Sequence, residues 1–207
     1  MKKLFVVLAL AMVSFANAQK GSILVAGNIG FSTQKMEANS GTNNETTNNN
    51  FSISPKVGYQ FTDNWTAGLE VGVGTSKNES ESFNGFITTT ATTKNNYLSA
   101  GAFVRYSRPL SELFSVYADL DAGYQSVKTT SSSTFSTNDL VEKGNGFYAG
   151  ITPALFINMK KGFGLNFTIG GLEYNSVDFD NGSTQSDNTS FGFTFGQSFN
   201  IGISKNF

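Results

Sequence analysis

The residues able to do chemistry in this 207-residue chain are few. Histidine and cysteine are both absent, which removes the commonest general base and the commonest zinc ligands. Asp119 and Asp121 stand at i, i+2. On a strand they share one face, as a general acid/base pair can. The same alternate row of the chain carries Lys56, Glu70, Arg105 and Glu173. Charges removed from water must be paired and hydrogen-bonded. Mixed signs in one row therefore point to an ion-pair network of Lys56, Glu70, Arg105, Asp119, Asp121 and Glu173 rather than to catalytic carboxylates. A gated polar path is the functional alternative. Gly72-x-Gly74, Gly144-x-Gly146 and Gly170-Gly171 are not phosphate loops, since no helix is expected after any of them. Asn-x-Ser/Thr matches such as Asn44-Glu45-Thr46 and Asn78-Glu79-Ser80 follow from an Asn- and Thr-rich composition. No catalytic residue, cofactor or metal site is expected.

The elements that carry these residues alternate with period two. Eight segments show it: 23–31, 51–61, 65–73, 98–106, 114–124, 147–157, 163–169 and 191–207. This period argues strands with one apolar face. The runs approach the ~9–11 residues that a tilted strand needs to cross a bilayer. Short connections at 62–64, 107–113 and 159–162 alternate with long Ser-, Thr- and Asn-rich ones at 34–50, 76–96, 128–145 and about 175–190. Up-and-down topology then gathers every long connection at one end. The first and last strands must pair, because an open edge cannot face lipid. Pro55 and Pro153 fall inside strands and predict local bulges. The long connections are too poor in apolar residues to pack alone, which predicts mobile, surface-exposed loops.

Two barrels share this alternation. A lipocalin-type barrel lines a cavity with its apolar row and exposes charge. A membrane barrel turns the apolar row to lipid and keeps a polar interior. The polar row here is small and weakly charged, with Ser52, Ser54, Gly68, Gly72, Ser99, Gly101, Gly192 and Gly202 among its members. A water-facing exterior would carry far more Lys and Glu, and charged residues are only 14 % of the chain. Aromatics also fall in two bands. Tyr59, Phe61, Trp65, Tyr106, Phe114 and Phe163 flank the short connections, and Phe31, Phe51, Tyr124, Phe147 and Phe191 flank the long ones. Such bands match the girdles at the two faces of a bilayer.

Met1-Lys2-Lys3, the apolar run Leu4 to Val13, and Ala16-Asn17-Ala18 have the form of an export signal cleaved after Ala18. The expected organisation is a signal peptide over 1–18 and one barrel domain over 19–207. Removing the two leader lysines from 14 basic residues leaves 12 against 15 acidic ones, a net −3. That balance excludes a nucleic-acid partner.

The Ser-Pro-Lys-Val-Gly-Tyr stretch (54–59), followed by Phe61-Thr62-Asp63-Asn64-Trp65, and the alternating closing strand that ends on Phe207 resemble the small outer-membrane β-barrel family of Gram-negative bacteria. The likeness is to its eight-stranded group, which includes the OmpA transmembrane domain and OmpX, and to barrel proteins of Bacteroidetes. It covers Gly21 to Phe207. The resemblance implies an all-β fold: an eight-stranded antiparallel up-and-down transmembrane β-barrel, monomeric, in the outer membrane. It also implies that Phe199, Ile201, Ile203 and Phe207 form a sorting signal read by the barrel-assembly machinery. Lys205 departs from that apolar row but can snorkel to the interface. Enzymes of this architecture, such as lipid A deacylases, palmitoyl transferases and omptin proteases, rely on histidine, which is missing here. The expected function is therefore non-enzymatic: structural, protective or adhesive through the outer loops, with a side-chain-filled lumen. The partners expected are outer-membrane lipid, the assembly machinery and an extracellular partner at the loops. A narrow porin and a secreted lipocalin-like binder are the alternatives.

Overall fold

The computed structural model describes residues 21–39, 43–83, 85–136, 138–160, 162–180 and 185–207. The expected leader, 1–18, lies outside them. All elements among the described residues are strands: β1 (Ile23–Asn39), β2 (Asn43–Gln60), β3 (Trp65–Phe83), β4 (Thr88–Pro109), β5 (Phe114–Ser133), β6 (Leu140–Lys160), β7 (Phe163–Asp180) and β8 (Gln185–Asn206). They form a closed antiparallel ring in chain order. No helix among the described residues is long and apolar enough to cross a membrane, and strands need none.

The apolar row points outward. Leu69 is 64 % exposed and Phe191 73 %, while the alternate row faces the lumen. This orientation is that of a membrane barrel and is opposite to that of a lipocalin. Cross-strand register stacks the girdle aromatics: Trp65 lies opposite Tyr106 with ring centroids 4.9 Å apart, and Tyr124 opposite Phe147 at 5.8 Å. Such pairs add to sheet stability beyond burial. From Phe114 to Tyr124 on β5, ten residues at ~3.4 Å and ~40° tilt give ~26 Å of height, near the ~25 Å apolar band of such barrels.

The connections at the end of the three short turns are tight. Thr62 Oγ1 accepts from Trp65 N at 3.1 Å, and Asn64 Nδ2 donates to Ser107 O at 2.8 Å. Ser111 Oγ accepts from Phe114 N at 3.1 Å in the second turn. Gly162 has φ +77° in the third, a conformation that side chains disfavour.

At the opposite end the expected mobile loops are absent in that form. The strands run on through them to 17–22 residues, leaving little beyond them, such as residues 85–87 before β4. Both faces there are polar, so no hydrophobic period marked them as strands. Thr is a strand former, and side-chain ladders tie the hairpins: Thr129 to Asn95 at 2.8 Å, Ser82 to Asn44 at 2.8 Å, and Asn78 to Asn48.

The two prolines behave differently. Beside Pro153 the β6–β7 register shifts between Ile151 and Ala154, as a bulge requires. The extra residue sits on β7, so its lumen row passes from Asn166 and Thr168 to Gly171 and Glu173. At Pro55 no bulge forms. The β2–β3 ladder skips from Ile53↔Val73 to Lys56↔Glu70 with its register kept, since a missing N–H removes a bond without adding a residue.

Candidate functional site

Pleat and register bring four charged side chains to one level of the lumen. Lys56 on β2 lies opposite Glu70 on β3, and Arg105 on β4 opposite Asp119 on β5. Arg105 grips the carboxylate as a fork: Nε donates to Oδ1 at 2.7 Å and a terminal nitrogen to Oδ2 at 2.9 Å. Lys56 Nζ joins Asp119 Oδ2 at 3.3 Å to Glu70 Oε2 at 2.7 Å. Tyr148 on β6 donates its hydroxyl to Glu70 Oε1 at 2.7 Å. The chain of contacts thus runs from β2 to β6. The Arg105 and Asp119 side chains are 8 % and 5 % exposed, so their charges depend on each other rather than on water.

Three aromatic residues complete this layer, and sequence reasoning missed them. The Arg105 guanidinium lies 3.7 Å from the Tyr117 ring centroid. Phe103, 1 % exposed, lies 5.2 Å from Lys56 Nζ and 5.9 Å from the guanidinium. Tyr148 is the third. Their signal was parity: Phe103 precedes Arg105 in the lumen row, and Tyr117 precedes Asp119. Small neighbours make room for them. A Cβ on Gly68 would lie 2.8 Å from the Phe103 ring and 2.1 Å from Val57 O.

Asp121 and Glu173 stand apart from this cluster. They flank Gly150 on β6, one on β5 and the other on β7, Asp121 lying one pleat beyond Asp119 on β5. Among the described residues neither has an ion pair, because Lys56 is held by Glu70 and Asp119. They line polar cavities with Tyr148, Thr152 and Thr168. Two cations against four carboxylates leave the lumen acidic.

The layer divides the interior. A cavity of about 220 Å³ lies on the short-turn side, lined by Gln60, Asp63 and Ser107, and one of about 430 Å³ lies above, lined by Asn28, Ser54 and Gly72. Arg105 and Tyr117 border both. The expected side-chain-filled lumen is therefore filled at this level and open above it, where Gly and Ser leave volume that no long side chain occupies. Asp119 is engaged by two cations through both of its carboxylate oxygens. Among the described residues no three carboxylates come together as a metal-binding group.

The closing strand carries the other predicted positions. Ile201 and Ile203 point outward; the Phe199 side chain is outside the described set. Phe207 is buried, its backbone N and O exchange hydrogen bonds with Ile23 at 3.0 and 3.1 Å, and Lys205 Nζ lies 4.3 Å from its ring centroid and 4.6 Å from that of Phe163.

A closed ring of eight antiparallel strands, apolar outside and polar inside with aromatic bands at both rims, defines a transmembrane β-barrel. The chain belongs to the outer membrane protein beta-barrel domain family, whose model matches residues 4–207, and it is an outer-membrane protein. It is similar to the solved structure of Ail, the attachment invasion locus protein of Yersinia pestis in complex with the heparin analogue sucrose octasulfate. There the identity is 15 %, with 91 % of this chain and 100 % of that one covered and a TM-score of 0.47. OprG of Pseudomonas aeruginosa is similar at 11 % identity, over 91 % and 97 % of the two chains, with a TM-score of 0.49. Neisserial surface protein A is similar at 11 %, over 94 % and 100 %, with a TM-score of 0.40. No curated protein matches the chain.

Proposed function

We propose that this outer-membrane barrel is a non-enzymatic, monomeric protein whose lumen is sealed across the membrane and which acts as a structural, protective or adhesive element through its polar hairpins. The observation that carries the reading is the layer formed by Arg105, Asp119, Lys56 and Glu70, backed by Tyr117 and Phe103, between two lumen cavities. Its paired charges are expensive to separate in a low-dielectric interior. Planar-bilayer recording tests it, with no discrete conductance expected. Discrete cation-selective steps would favour the second reading, a narrow porin, which rests on the cavity above the layer and its acidic lining. Adhesion is tested by shortening each extracellular hairpin and scoring cell attachment. Assembly is proposed to run through Phe199, Ile201, Ile203 and Phe207, recognised by the barrel-assembly machinery.

A further inference from the structure

The ring closes unevenly. Among the described residues β1 and β8 pair over Ile23–Asn28 against Gly202–Phe207, whereas every other neighbouring pair of strands is joined along most of its length. These six residue pairs span ~17 Å along the strands, or ~13 Å of height at ~40° tilt, against an apolar band of ~25 Å. Above them the partners separate. The β7–β8 ladder passes from Thr168↔Asn200 to Gly170↔Phe195, so β8 holds a bulge, with Gly196 at φ +71°, starting two residues past the last seam pair at Gly202. Beyond it both faces of β8 are exposed from Ser186 to Gly196, and both faces of β1 from Phe31 to Glu37.

An open strand edge is not tolerated against lipid unless water or another group satisfies its backbone. The lumen supplies a wet surface here. Three cavities of about 430, 480 and 300 Å³ all border Asn200, at the seam. The second is lined by Phe31, Phe51, Val73 and Tyr97 alongside Ser32 and Asn50, a mixture of apolar body and hydrogen-bonding groups. The ion-pair layer closes the way down. A solute entering from outside therefore has one exit other than its entrance, which is sideways.

We propose that the β1–β8 seam above Asn28 and Gly202 is a lateral portal through which a small, uncharged amphipathic molecule passes between the lumen vestibule and the membrane hydrocarbon. This goes beyond the sealed-barrel reading, which concerns passage across the membrane. The portal requires an aromatic or aliphatic body to slide past Ile29, Phe31 and Phe195 and a hydrogen-bonding group to be held by Asn200 and Ser32.

The chain contains no cysteine, so a disulfide can be placed cleanly. Extending the observed register places Gly30 opposite Asn200, two steps above the last pair. A Gly30→Cys/Asn200→Cys variant zips the seam when oxidised and frees it when reduced. The probe is N-phenyl-1-naphthylamine, whose fluorescence reports entry into the membrane of intact cells. Its entry rate in cells bearing the oxidised variant should fall to that of cells lacking the protein, and reductant should restore it. Equal rates in the two redox states would overturn the portal. Heat-dependent gel migration verifies folding, and Ile29→Cys/Ile201→Cys, one step above the last pair, repeats the test if the first variant does not fold.

Discussion

Replacing Arg105 with alanine removes two charge-assisted hydrogen bonds to Asp119, at 2.7 and 2.9 Å, and the stack on Tyr117. Each such bond contributes ~1.5–3 kcal/mol, and the ring contact ~0.5–2 kcal/mol. Breaking a buried pair on one side costs ~3–5 kcal/mol. Lys56 still reaches Asp119 at 3.3 Å, so the carboxylate keeps one partner. Arg105→Ala should therefore fall at the lower end, about 3 kcal/mol. Asp119→Ala leaves the guanidinium with no carboxylate and should reach about 4–5 kcal/mol. Arg105→Met/Asp119→Leu, which fills the space with apolar atoms, should lie within about 1 kcal/mol of the native barrel, because a buried pair roughly breaks even against its hydrophobic replacement. The assay is urea unfolding in lipid vesicles, read by heat-dependent gel migration. A shift below about 1 kcal/mol for Arg105→Ala, or a double variant that costs the sum of the single losses, would refute the account.

Other outcomes follow from the same geometry. Gly68→Ala should destabilise by about 1–3 kcal/mol, because its Cβ meets Val57 O at 2.1 Å and the Phe103 ring at 2.8 Å; the same unfolding assay checks it. Deleting Phe207 should lower outer-membrane yield more than it lowers the stability of barrel refolded in detergent, and normal yield would count against its sorting role. Backbone amides of Thr89–Asn96 and Thr129–Ser133 should exchange slowly, since they are ladder-paired in the outer hairpins; exchange at free-loop rates would contradict the extended strands.

The outward row was legible because period-two alternation and aromatic bands report lipid contact directly. The candidate charges were legible for the same reason: Lys56, Glu70, Arg105 and Asp119 interrupt a row of Gly and Ser. Phe103, Tyr117 and Tyr148 were hidden because aromatics in this chain usually mark the lipid face, although their parity placed them inward. The outer hairpins were illegible, since Thr, Ser and Asn on both faces leave no contrast between rows. The β7 bulge left a trace, in that apolar residues change parity between Ile169 and Leu172. The short β1–β8 seam left none, because its extent depends on how far two strands distant in sequence stay in register.

Whether the apolar row faces lipid and the polar row the lumen is decided by a single-cysteine scan along β3. Spin labels placed in turn at Leu69, Glu70, Val71, Gly72 and Val73 can be read for collision with oxygen, which concentrates in lipid, and with a water-soluble nickel chelate. Oxygen-dominated collisions are expected at 69, 71 and 73, and suppressed oxygen access at 70 and 72. The reverse phase, or no alternation, would contradict this orientation.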